Sequence, residues 1–224
     1  MAFELSISTT EVLREPHYRK GIAMPQPLPD RIQTLETRLP IWERFFTVAP
    51  LVLIGTKEFT GYDLAPKHMV TPLGWDNYFV FVCAARHRTY QNIAREHAFT
   101  VSYPRPTQLV LTSLAAAPRC GDDDKPSLLA LPTFPARKID GVFISDAYIF
   151  LECELDRILD GFGMNSLITG RIIAAYAHED ALRTSDRDDQ DLLQAAPLLA
   201  YLAPGRTAQI RDTFSFPFPL DFSR

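Results

Sequence analysis

Tyr78-Phe-Val-Phe-Val-Cys-Ala-Ala-Arg-His-Arg-Thr-Tyr-Gln-Asn92 decides the fold. Its first six residues form a continuous apolar run, rich in aromatic and β-branched side chains, which predicts a central strand. The pattern then turns helical. Tyr90, Ile93, Ala94 and His97 recur at i, i+3, i+4 and i+7, a mostly apolar stripe one face wide. Thr89 is placed to cap that helix through its hydroxyl. At the junction stand Arg86, His87, Arg88 and Thr89. The first N–H groups of a helix have no internal partner, and the macrodipole adds about half a positive charge there. Arg88 brings a forked cationic donor and Thr89 a hydroxyl, so the junction predicts a phosphate cradle. A capped helix with solvated basic residues is the alternative.

Upstream, Leu51-Val-Leu-Ile-Gly-Thr56 is a short apolar run bounded by Pro50, and it predicts a buried strand. Asp63 to Thr71 reads as a strand or extended loop flanked by Gly61 and Gly74. There Leu64-Ala-Pro66 would bring backbone groups close to a flat ligand, Lys67 adds a cation and His68 an imidazole. Trp75 and Phe81 supply aromatic area nearby. Pairing of neighbouring antiparallel strands is expected to bring this segment against the junction.

Downstream, Phe99-Thr-Val-Ser-Tyr103 alternates, with Phe99, Val101 and Tyr103 on one face. Gln108 to Ala117 predicts a helix that Pro118 ends, and residues 121–127 read as a polar turn. In Tyr148 to Leu155, Ile149, Leu151, Cys153 and Leu155 share a face, with Glu152 and Glu154 opposite. Leu167 to Tyr176 is similar, and Gly161-Phe-Gly163 bends between the two. The sum is a mainly β chain, barrel-like all-β or α+β, with peripheral helices.

The ends differ from this middle. Residues 1–44 form an N-terminal extension in which the proline-rich REPHYRKGIAMPQPLPDR either wraps a surface or serves as a linker. Residues 181–224 form a C-terminal extension whose Phe214, Phe216, Phe218 and Phe222 suit packing on the barrel or on a partner subunit. Net charge is −4, against the clustered basic face a nucleic-acid partner needs. No apolar run approaches the roughly 20 residues of a membrane span. The three cysteines, Cys83, Cys120 and Cys153, form no C-x-x-C pair. That argues against a metal site and for a reducing cytoplasm. Cys83, ending an apolar strand, reads as core.

Leu51 to Thr56, Leu64-Ala-Pro-Lys-His68, Phe81-Val-Cys83, Arg88-Thr-x-x-Asn92-Ile and Phe99-Thr-Val-Ser102 follow one another in a telling order. In order and spacing they resemble the flavin reductase-like family of FMN-binding split barrels, over roughly residues 45–180. The resemblance implies a Greek-key split β-barrel that binds FMN rather than FAD. It implies that His87, Arg88 and Thr89 meet the phosphate and that Asn92 fixes the loop. Leu64, Ala65, Pro66, Lys67 and His68 would lie along the ring and ribityl chain, with Val82, Cys83, Ala84 and Ala85 on the neighbouring strand. It further implies a homodimer with flavin near the subunit interface.

Two departures stand out. His68 replaces the family's usual serine, which makes it the candidate catalytic group, with a structural role as the alternative. Gly163-Met164-Asn165 stands where many members carry Gly-Asp-His, which bears on NAD(P)H as co-substrate. Two functions follow as expectations: an oxidoreductase passing electrons from a donor such as NAD(P)H through flavin to a small-molecule acceptor, or an FMN carrier without NAD(P)H turnover. A related barrel holding another phosphate cofactor, such as pyridoxal phosphate, is a third.

Overall fold

A computed structural model describes residues 28–121, 123–184 and 186–219. Most of the proline-rich N-terminal stretch, and Phe222, lie outside the described residues. The chain divides after Ile41. Residues 28–41 hold only turns, with Arg38 paired to Glu36 at 2.8 Å.

The second unit is mostly strand. It runs β1 (Thr47–Pro50), β2 (Val52–Lys57), β3 (Tyr62–Lys67), β4 (Val70–Pro72), β5 (Tyr78–Ala84), α1 (Arg88–Glu96), β6 (Ala98–Tyr103) and α2 (Leu109–Leu114). Then come β7 (Thr133–Pro135), β8 (Val142–Ile144), β9 (Ile149–Phe162), β10 (Asn165–Ala177), α3 (Asp189–Ala195), β11 (Leu198–Ala203) and β12 (Arg206–Ile210).

Seven strands form one sheet in the order β3-β2-β6-β9-β10-β5-β4, each neighbour antiparallel. β3 and β4 are consecutive in the chain yet sit at opposite edges, joined only by His68 and Met69. The three steps from Lys67 to Val70 reach about 10 Å, whereas six strand spacings in a flat sheet come to about 29 Å. The sheet must therefore curl until its edges approach, which makes a split barrel. The segment Asp63–Thr71, expected as one piece, is thus two strands on two edges. Val70 and Thr71 of β4 do pair with β5, as expected of neighbouring antiparallel strands, whereas Lys67 of β3 and α1 meet through this curl.

Inside the curl Val52, Ile54, Phe79, Phe81, Phe99, Val101, Leu151, Cys153 and Ile168 are buried together, and Ile93 of α1 joins them. The Phe81 and Phe99 rings meet edge to face at 5.4 Å. Gly170 of β10 makes room for Phe99, since a Cβ there would lie 2.5 Å from its Cζ. A second apolar cluster, Leu53, Leu64, Leu131, Val142 and Ile144, covers the outer side. β6 is therefore covered on both faces. The expected alternation holds, with Phe99, Val101 and Tyr103 on the core face, and on the other face Thr100 and Ser102 are buried too, their hydroxyls bonding the Val142 carbonyl (2.6 Å) and the Ile144 N–H (3.3 Å).

Three further local expectations change. α1 starts at Arg88 with His87 as N-cap, so Thr89 lies buried in the first turn and caps nothing. α2 is shorter than residues 108–117 because its end tightens: Ala116 and Ala117 N–H groups bond carbonyls three residues back. The C-terminal part, which reads as short and proline-broken, holds the β11–β12 hairpin that pairs with β1 in a second, three-stranded sheet.

Candidate cofactor cleft

A cleft of about 750 Å³ opens where β3 ends, α1 begins and the chain leaves α2. β3 contributes Asp63, Ala65, Pro66 and Lys67. The approach to α1 contributes Arg86, His87, Arg88, Thr89 and Gln91. The third wall is Ala115 to Arg119, Asp123 and Lys125. The alanines and prolines make a low wall that a flat group can approach closely.

Charge distinguishes this place from the rest of the surface. Five cations (Lys67, Arg86, Arg88, Arg119, Lys125) line it against two carboxylates (Asp63, Asp123), a balance of +3 on a chain of net charge −4. Three of the cations are anchored. Lys125 Nζ lies 3.1 Å from Asp63 and donates to the Leu64 carbonyl at 3.0 Å. Arg119 reaches Glu58 at 2.6 Å and Asp63 at 3.4 Å. Burial works against the Arg119 charge, but the Glu58 hydrogen bond and the Asp63 field hold its pKa above the ordinary value. Arg88 pairs with Asp123 and donates to Gln91 Oε1 at 3.2 Å. At the start of α1 no acidic residue and no capping side chain compete for its N–H groups. Such an end favours an anion.

The imidazoles nearby are biased neutral. Burial, then the charges of Lys67 and Arg86, lower the His87 pKa. Burial and Lys67 lower that of His68. His68 stands outside the cleft lining, in the turn from β3 to β4, with its ring 4.4 Å from that of Tyr201. Burial pushes the Cys83 thiol up, and its Sγ lies 3.9 Å from His87 Nδ1.

Of the residues singled out from sequence, Ala65, Pro66, Lys67, His87, Arg88 and Thr89 meet in the cleft. Leu64 turns its side chain into the outer apolar cluster. Val82, Cys83, Ala84 and Ala85 line no part of the cleft, and Cys83 sits in the barrel core. Buried Asn92 ties α1 to β2 by donating to Thr56 Oγ1 at 3.0 Å. Arg119, Asp123 and Lys125 also line the cleft, and the sequence carries no local signal for them. Residues 121–127 carry the composition of a solvated turn, and only the tertiary fold brings them to the cleft.

A seven-stranded sheet curled until its edges approach defines a split barrel, and the cationic cleft at its strand-to-helix junction suits an anionic group. Residues 45–202 match the flavin reductase like domain family, and the chain belongs to that family. It is accordingly a flavin-dependent oxidoreductase by class. Solved structures share the fold. The 2-nitrobenzoate 2-nitroreductase NbaA of Pseudomonas fluorescens is 21% identical, with 79% of this chain and 87% of that one covered and a TM-score of 0.65. Flavoredoxin from Methanosarcina acetivorans is 20% identical over 83% and 94%, at 0.66. The FMN-binding protein from Thermus thermophilus, solved with 1-cyclohex-2-enone, is 20% identical over 83% and 99%, at 0.67. No curated protein matches the chain. No helix among the described residues is long and apolar enough to cross a membrane.

Proposed function

We propose that the protein binds FMN in this cleft and passes electrons from a reduced donor such as NAD(P)H to a small-molecule acceptor. The observation that carries the reading is the +3 balance of the cleft on an acidic chain. A phosphate monoester brings about −1.5 to −2 charge at neutral pH, which five cations and an uncapped helix start are suited to hold. Arg88 and Thr89 would take the phosphate, with Lys67 and the Ala65–Pro66 backbone beside the rest of the cofactor. The bound isoalloxazine would supply the hydride and electron transfer, while the protein supplies position and electrostatics. Neutral His68 and His87 leave Lys67, Arg86 and Arg88 as the cations of the β3 and α1 rim.

The carrier reading keeps one observation in its favour. Asn165, paired with Ala84 where many relatives carry histidine, has no titratable group to offer a nicotinamide. Stopped-flow mixing of FMN-loaded protein with NADH and with NADPH separates the two. Bleaching near ~450 nm, the flavin's own absorption, supports the oxidoreductase. No bleaching with either donor leaves the carrier.

We also propose a homodimer in the cytoplasm. Phe46 and Val48 beside and within β1, and Met69 and Leu73 flanking β4, expose apolar area on neighbouring elements that a second subunit would cover. Sedimentation at micromolar concentration tests it.

A further inference from the structure

Resting on the FMN reading, we propose that Asp123 is an internal competitor for the phosphate: its carboxylate occupies the Arg88 guanidinium and must be displaced before a phosphate can take it, which tempers the binding of phosphorylated flavins and leaves that of riboflavin untouched. Arg88 stands in the first turn of α1, where an anion gains from both guanidinium and helix end. In this structure that guanidinium holds Asp123, 35 residues on in the chain. A dianionic phosphate outcompetes a monoanionic carboxylate for the same fork. Riboflavin brings no such group and leaves the pair intact across the cleft.

The surroundings let the carboxylate leave without moving the chain. Arg119 Nη1 donates to the Asp123 carbonyl at 2.7 Å, which pins the backbone from below. The Asp123 N–H bonds the Cys120 carbonyl at 2.9 Å. Arg119 Nε already lies 4.0 Å from Asp123 Oδ1, so the released carboxylate has a second cation waiting. A side-chain rotation suffices. Asp123 adopts φ +67°, a left-handed conformation that asparagine tolerates as well as aspartate does, so Asp123→Asn removes the charge and keeps the turn.

The test compares the Kd of FMN and of riboflavin by flavin fluorescence for the wild type, Asp123→Asn, Arg88→Gln and the double variant. The pair is half-exposed, and such pairs are worth little in water. Asp123→Asn should therefore tighten FMN by about threefold to fivefold and leave riboflavin unchanged. In the Arg88→Gln background the same substitution should gain nothing, as a direct contest for one guanidinium requires. An equal gain in that background, or an equal gain for riboflavin, would show general repulsion or steric access instead and overturn the proposal. Weaker FMN binding by a folded Asp123→Asn would overturn it too. Failure of the wild type to bind FMN would remove the FMN reading itself, a result distinct from any of these.

Discussion

Two regions handle charge in opposite ways. On β9, Glu152 is wholly buried and fully answered. Its oxygens accept the consecutive N–H groups of Arg137 (3.0 Å), Lys138 (2.6 Å) and Ile139 (2.9 Å), and the Tyr176 hydroxyl (2.9 Å). Burial alone would raise its pKa, but these four donors together hold it below the ordinary glutamate value. The cleft is the reverse. Its cations outnumber its carboxylates, its Arg88–Asp123 pair is half-exposed, and Arg86 makes no ion pair among the described residues. Satisfied charge pins the chain, here the loop before β8 against the long β9–β10 hairpin. Surplus charge of one sign waits for a partner. That contrast separates the structural Glu152 from the cleft cations proposed to bind a phosphate.

The largest effect should come from Glu152→Gln, which sets an amide donor against backbone N–H groups. It should cost about 2–4 kcal/mol in denaturant unfolding, with little change in FMN affinity per folded molecule. A loss below about 0.5 kcal/mol, the scale of a surface substitution, would erase the contrast. The same carboxylate has a depressed folded pKa. Its stabilisation is therefore full above the unfolded glutamate value of about 4.3 and is lost as pH falls through the lower folded value. Acid unfolding of wild type and Glu152→Gln should converge in that window.

Arg88→Ala should do the opposite of the Glu152 variant. It should weaken FMN by tenfold or more, about 1.5–3 kcal/mol for a charge-assisted bond, and shift the unfolding midpoint little. Titration calorimetry and thermal melts read the two arms. Gly170→Ala probes the packed core without touching charge: its Cβ meets Phe99, and overpacking of this kind costs about 1–3 kcal/mol. A neutral outcome there would mean that the β10 backbone gives way more readily than a tightly packed, curled sheet should.

Much of the fold is legible because its central strands are unambiguous. Leu51 to Thr56 and Tyr78 to Cys83 are continuous apolar runs, and both are buried strands between covered faces. The alternation along β9 correctly separates Cys153 from Glu152. It does not show that Glu152 on the polar face is covered as well, because three of its donors lie 13 to 15 residues upstream and Tyr176 lies 24 downstream. The edge strands are equally silent: nothing in Asp63 to Thr71 says that His68 and Met69 step between opposite edges. In the cleft, Arg86 to Thr89 are readable since a helix start is a local event. Arg119, Asp123 and Lys125 are not, since a charged turn has the same composition whether it faces solvent or a cofactor.

Flavin binding by the intact wild-type chain tests the central claim most directly. Titrating FMN into the purified protein after removal of any bound flavin, with Arg88→Ala alongside, should give saturable binding by the wild type and at least about tenfold weaker binding by the variant. Equal affinity in the two folded proteins, or none in the wild type, would contradict the assignment of this cleft.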